Sequence, residues 1–416
     1  MRTRSRTAPS LRPVVRRGAA ASSRATTLTP PLAPTPAPAA LAPASPASRP
    51  APAAAAPTSA ADIRAGGWGP NWFAAVMGTG IVAVAAAGLP VDVPGLRPAA
   101  RLVWLLAAVL LVALCVASAK EWRRARAHVA DPVMVQFYGA PPMALMTVGG
   151  GTLLLGSDWI PLPLAVAVDV VLWSVGTAMG LATAVLVPYL MITRHRLGPD
   201  AVFGGWLMPV VPPMVSAANG ALLAPHVSFG SELLLVSYAL FGASLLAAFL
   251  VVAHLWGRLL TRPPMPAGTT PTLWIVLGPL GQSITAAHLL AEAARDALPA
   301  APVFALLFGV PVWGFAMFWL ALAAALTLRA LRQGMPFGLP WWSFTFPVGT
   351  LVTGTTGLAT STGSQLLVAA AIALFGLLTV LWLTVATRTL RSVLRLQHGH
   401  RDQPVAVDHL ATERHQ

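Results

Sequence analysis

From Gly67 onward the chain is a succession of long apolar runs, joined by short connectors that hold nearly all of its charge. A run of roughly 20 apolar residues is long enough to cross the hydrocarbon of a bilayer as a helix. Lipid offers no hydrogen-bond partners, so each such run must satisfy its own backbone, and helix is the form that does so within one segment. Ten runs fit, at about 71–89, 102–119, 137–156, 163–192, 203–224, 231–256, 272–293, 303–328, 341–360 and 365–387. Segments three, five and nine are the least apolar. The fold class predicted is an all-α integral membrane protein of ten transmembrane helices. Composition agrees: 10% of the 416 residues are charged, against about 25% in a soluble protein.

The charge that exists is placed unevenly. Of 27 Lys and Arg residues, 24 fall in the two tails or after the even-numbered segments, and only Arg97, Arg101 and Arg295 follow odd ones. Basic residues stay on the cytoplasmic side of a membrane. The split predicts a multi-pass protein of the cell (plasma) membrane with both termini in the cytoplasm. It also accounts for the net charge of +14 without nucleic acid, since no soluble segment is available to fold around a basic groove.

Residues 1–66 are rich in Arg, Ala, Pro and Ser, and Asp62 is their first acid. So many prolines and so little bulky apolar surface predict a disordered cytoplasmic tail. A start codon placed upstream of the true one would give the same composition. The main domain is expected over 67–390, with a second cytoplasmic tail at 391–416. Cys115, the single cysteine, lies inside an apolar run and makes neither a disulfide nor a thiolate site.

The odd-numbered segments begin 66 to 69 residues apart, which divides the chain into five helical hairpins. Helix breakers concentrate in those segments. Pro142, Pro213, Pro279 and Pro347 recur at intervals of 71, 66 and 68 residues, with Gly78 and Gly80 in the corresponding part of the first. A proline inside a helix removes a hydrogen bond and kinks it, which lipid tolerates only where the backbone faces protein or a water-filled space. The odd helices are therefore expected inside, walling a central conduit, with the smoother even helices outside. Close packing of small residues is the other reading of the same pattern.

Ionisable residues are almost missing from the odd segments: His288 and Glu292 stand at the outer end of segment seven. Asp169 lies toward the outer end of segment four, where it is read as snorkelling to the interface. Neutral walls suit an anion or a neutral solute better than a cation. Segment nine offers hydroxyls for such walls at Ser343, Thr345, Thr350, Thr353, Thr355 and Thr356, unless these bond back to their own helix. No zinc-binding helix, nucleophile elbow or phosphate-binding loop is found, so neither an enzyme nor a cofactor or metal site is expected. Gly176 and Gly180 are spaced for helix packing.

Two strings are more specific. Gly69-Pro70-Asn71-Trp72-Phe73-Ala74-Ala75-Val76-Met77-Gly78-Thr79-Gly80-Ile81 opens segment one, and Trp341-Trp342-Ser343-Phe344-Thr345-Phe346-Pro347 opens segment nine. They resemble the tellurite-resistance/dicarboxylate transporter family, which includes plant slow anion channels, fungal malate permeases and fungal sulfite pumps. The resemblance spans about 67–387. It implies five hairpins in a quasi-fivefold ring around a pore, assembly as a homotrimer, and a phenylalanine plug on the ninth helix. Phe346 matches that plug by its place before the proline, with Phe344 second. Gly78, Thr79, Gly80, Pro142, Pro213, Pro279, Thr345, Pro347 and Thr350 are then expected to line the pore. The function implied is passage of small anions, sulfite-type oxyanions or C4-dicarboxylates such as malate. The alternatives are a proton-coupled carrier using His288, Glu292 or Asp169, and an intramembrane enzyme or scaffold.

Overall fold

A computed structural model describes residues 68–401. The expected N-terminal tail, 1–66, and the C-terminal residues after 401 lie outside that range. Among the described residues there is no strand, and ten α-helices have twelve residues or more. We number these α1 (Phe73–Gly88), α2 (Leu96–Lys120), α3 (Ala140–Leu154), α4 (Leu162–Thr193), α5 (Pro212–Leu223), α6 (Gly230–Thr261), α7 (Leu277–Ala293), α8 (Ala301–Arg332), α9 (Thr345–Thr362) and α10 (Gln365–Arg401). Each coincides with one apolar run. The last helix continues past residue 390, where a separate tail was expected to begin.

Seven of the ten are long and apolar enough to cross a membrane, α1 and α7 when counted with the 3-10 segment that leads into each. The three that fall short are α3, α5 and α9, the helices of the least apolar runs. Two of them hold only 15 and 12 residues, and α9 spends eight of its 18 on Thr and Ser.

The recurring prolines do something other than the kinking expected of them. Each odd helix is entered through a 3-10 segment: Pro70–Trp72, Met134–Gly139, Gly204–Leu207, Ala267–Val276 and Leu339–Phe344. Pro142, Pro213, Pro279 and Pro347 fall within the first three residues of α3, α5, α7 and α9. Amides of a first α-turn have no intrahelical partner to lose, and the fixed φ of proline is already helical. The prolines thus mark the junction where the tighter 3-10 coil relaxes into α-helix. No bend within an α-helix is needed to explain them.

Burial separates the two sets of helices. The spans containing α1 and α7 have 72% and 83% of their most apolar stretch buried, whereas the five even helices have between 22% and 33%. Each odd helix packs on the next, α1 on α3, α3 on α5, α5 on α7, α7 on α9, and α9 back on α1. Each even helix packs on its own hairpin partner and on the following odd helix, α10 closing onto α1.

Indole hydrogen bonds tie the two sets together. Nε1 of Trp104 on α2 donates to Val148 O (3.3 Å), and that of Trp173 on α4 to Ser216 O (2.9 Å). Trp313 on α8 donates to Thr355 Oγ1 (3.0 Å), and Trp382 on α10 to Thr79 Oγ1 (3.1 Å). On α6 the link is Ser244 Oγ donating to Val210 O at 2.6 Å. An indole N–H facing hydrocarbon would go unpaired, so these bonds fix which face of each outer helix turns inward.

The three basic residues of the Arg-poor face are all paired. Arg97 and Arg101 both reach Asp158 (2.9 and 2.6 Å), and Arg295 pairs with Glu292 one helical turn away. Bonds from Arg97 first and then Arg101 hold the Asp158 carboxyl below its ordinary range, against a smaller opposing effect of burial.

Candidate functional site

Two small cavities, of about 30 and 70 Å3, lie within the odd-helix set. The first is nearer the helix starts that follow the Arg clusters. Met77 of α1, Met143 of α3, Met208 just before α5, Pro279 of α7 and Pro347 of α9 contribute to its wall. The second lies further along the same helices, with Ile81, Thr147, Asn219, Gln282 and Thr353 from the same five units in turn. Phe346 lines both. Its side chain, 3% exposed, is the wall the two spaces share. Neither cavity has an ionisable residue in its lining.

Phe344, the second choice for a plug, touches neither cavity. Its ring packs edge-on against Trp274 and Trp341, with centroids 5.1 and 5.6 Å away, between the 3-10 segments. Of the other residues expected along a pore, Pro279 and Pro347 line the first cavity. The rest are not in either lining and sit between helices, for reasons that are local.

Gly78 gives α9 room: a Cβ there would lie 3.1 Å from Thr345 Cβ and 3.0 Å from the Trp342 ring. Gly80 does the same for α3, since its Cβ would stand 2.7 Å from Thr147 Cγ2. Thr79 turns outward to accept the Trp382 bond. Pro142 faces α4, its carbonyl 3.1 Å from the position a Cβ would take at Gly176. Pro213 is buried in the first turn of α5. Thr345 donates to Trp342 O at 2.8 Å, and Thr350 to Pro347 O at 2.8 Å. Thr355 likewise bonds back to Leu351 O at 2.7 Å. The hydroxyls of segment nine are mostly spent on their own helix. Ser343 and Thr353 reach a cavity wall.

Asp169 is not at the interface. Its side chain is fully buried, lodged against Gly149 of α3 and accepting a hydrogen bond from Asn219 Nδ2 at 3.0 Å. The glycine supplies the space and the amide the donor, which is why an acid on an outer helix can turn inward rather than toward water. His288 remains near the end of α7, beside Ser361 Oγ (3.1 Å), and Glu292 is occupied by Arg295.

The residues that composition and spacing did not single out are the methionines of the first cavity and Asn219, Gln282 and Thr285 of the second. A signal for two of them was present. Asn219 and Gln282 are the only amide side chains in the α-helical parts of the five odd segments.

Comparison with known proteins follows the same boundaries. The chain is 28% identical over 290 residues to an uncharacterized transporter of Methanocaldococcus jannaschii, covering 68% of this chain and 81% of that protein. It is 26% identical over 309 residues to a sulfite efflux pump of Arthroderma otae, covering 69% and 80%. A sulfite efflux pump of Trichophyton rubrum matches to the same extent. Residues 68–390 match the family model described as voltage-dependent anion channel, nearly the whole of what the structure describes. The chain belongs to the voltage-dependent anion channel family.

Proposed function

We propose that the chain is an anion conduit of the plasma membrane, with ten spans arranged as five hairpins in a quasi-fivefold ring and Phe346 as its plug. The cyclic packing of the odd helices supports the ring. The 3-10 lead-ins support ten spans. A six-residue 3-10 segment followed by a 15-residue helix reaches about 35 Å, enough for a hydrocarbon core of about 30 Å. Both termini are then cytoplasmic by the arginine distribution.

The observation that carries the reading is Phe346 standing between two cavities to which all five units contribute. An aromatic ring in such a place blocks by bulk and by excluding water. With no ionisable side chain on either wall, the cavities carry no fixed negative charge to favour a cation. The cargo favoured is a small oxyanion of the sulfite type, in keeping with the named activity of two relatives, or a C4-dicarboxylate such as malate. No catalytic role is proposed for any residue, and a homotrimer is the assembly expected from the family resemblance.

Asp169 gives a coupled carrier its best support, as a lone buried acid adjoining a residue of the second cavity. The measurement that separates the readings is anion uptake into proteoliposomes under an imposed voltage or an imposed proton gradient. Phe346→Ala is expected to raise voltage-driven chloride and sulfite flux by at least about tenfold, since a ring-sized obstruction is lost. Unchanged flux from a correctly folded variant removes the plug. Uptake that follows the proton gradient alone replaces the channel with a carrier.

A further inference from the structure

The second cavity has an unusual balance of donors and acceptors. Thr147 Oγ1 donates to Met143 O at 2.7 Å, and Thr353 Oγ1 to Thr350 O at 3.0 Å. Thr285 Oγ1 has Gly281 O at 3.1 Å and Thr353 Oγ1 at 2.7 Å. Of the last two hydroxyls one donates to the other and the second to a backbone carbonyl, so all three hydroxyl protons are spent within the wall. Asn219 spends both amide protons behind the wall, one on Asp169 Oδ1 (3.0 Å) and one on Met146 O (3.1 Å). This fixes the amide orientation and leaves Asn219 Oδ1 against Gly150, a residue of the same lining, with no donor among the described residues. Gln282, 95% buried and on the same wall, has no hydrogen-bond partner among the described residues. Its amide supplies the cavity's only unspent N–H donors.

A bare halide or nitrate finds few donors here and several lone pairs turned toward it. A dianion fares worse, because desolvation cost grows steeply with charge and no cation offsets it. An oxyanion that keeps one acidic proton fits both halves of the site. Its charged oxygens take the Gln282 amide, and its own O–H donates to the Asn219 oxygen. We propose that Gln282 and Asn219 form a recognition site for oxyacid monoanions of the hydrogensulfite type, with Asp169 as the positioning residue that holds Asn219 in its accepting orientation.

This inference rests on the conduit proposed above, so the test is run in the Phe346→Ala protein. Chloride flux is the first readout, and a protein that passes no anion fails as a conduit before selectivity arises. Given chloride flux, hydrogensulfite and nitrate are compared as monoanions with and without a proton. With Gln282 and Asn219 intact, hydrogensulfite is expected to outpace nitrate by about tenfold, the value of one hydrogen bond to a charged ligand. Asn219→Leu is expected to abolish that preference while the nitrate-to-chloride ratio holds. Asp169→Asn, which places a second amide behind Asn219, is expected to weaken it. Nitrate passing as fast as hydrogensulfite through the intact cavity overturns the site, whether or not the Asn219→Leu protein folds. So does a preference that survives both substitutions.

Discussion

Glycine has two different jobs in the inner and outer helices. On α7, a Cβ at Gly281 would stand 2.7 Å from Leu351 Cα, and at Gly354 on α9 it would stand 2.8 Å from Gly281 O. These two backbones touch, and only a residue without a side chain permits it. On α6, α8 and α10, Gly242, Gly257, Gly314 and Gly376 have nothing within 4 Å of such an atom. Gly281 and Gly354 are contacts, whereas those four are open positions on faces turned away from the protein. The even helices do use glycine as contact where they face inward, as at Gly309 against Leu358, 2.9 Å away. What matters is the face and not the helix. Helix association in a membrane depends on such close fits because lipid supplies no hydrophobic drive between helices.

Substitutions along this divide should span a wide range of effects. Gly281→Val is expected to cost more than about 4 kcal/mol, because its side chain meets backbone that cannot rotate aside. Thermal unfolding in detergent should show a large loss of midpoint or no folded protein, and a midpoint near that of the parent would dissolve the contrast. Trp382→Phe keeps the ring but removes the bond from α10 to Thr79 on α1. About 1 to 3 kcal/mol should be lost, the cost of leaving a buried acceptor unpaired. Gly376→Ala tests the opposite side. It should stabilise by up to about 1 kcal/mol through helix propensity alone, and a clear loss would show that this face packs against something.

The smallest effect belongs to the surface. The folded Asp158 carboxyl is held below its ordinary range, so its contribution is present above the unfolded value and is lost as pH falls through the lowered one. The ion pairs are partly open to solvent, and screening keeps their effect small. The difference in midpoint between the parent protein and Asp158→Asn should therefore be slight near neutrality, begin to shrink as pH falls below about 4, and vanish in stronger acid. A difference that grows in acid would reverse the assignment.

The division into hairpins was legible because it rests on one-dimensional facts. Length, apolarity and the positions of 27 basic residues do not depend on which way a side chain points. The recurring prolines were legible as a series, but their role was not. A proline in the first α-turn and one in mid-helix look alike until the 3-10 lead-in is seen. The walls of the cavities were harder still. The inner helices are buried on nearly all sides, so no polar stripe distinguishes the face toward the cavity from the faces toward neighbours. Thr79 and Thr350 were expected along the pore from the resemblance; Thr79 takes the bond from Trp382 on α10, and Thr350 bonds back to Pro347 O of its own helix. Asp169 was misplaced for a related reason. Nearness to the end of α4 said nothing about Gly149 and Asn219 waiting on the other side.

The close fit at Gly78 bears on how Phe346 can move. Thr345, its neighbour, is wedged there against α1 and bonded back to Trp342 O, while Trp342 is itself tethered to Thr389 on the last helix. On the other side Pro347 has a fixed φ, and its carbonyl receives Thr350. The main chain beneath the ring is clamped at both ends, like a door leaf whose frame is set in masonry. Freedom is left in two torsions, χ1 and χ2. In the conduit proposed above, aperture would then be a matter of rotamer, with a staggered set of discrete positions in place of a continuous dilation.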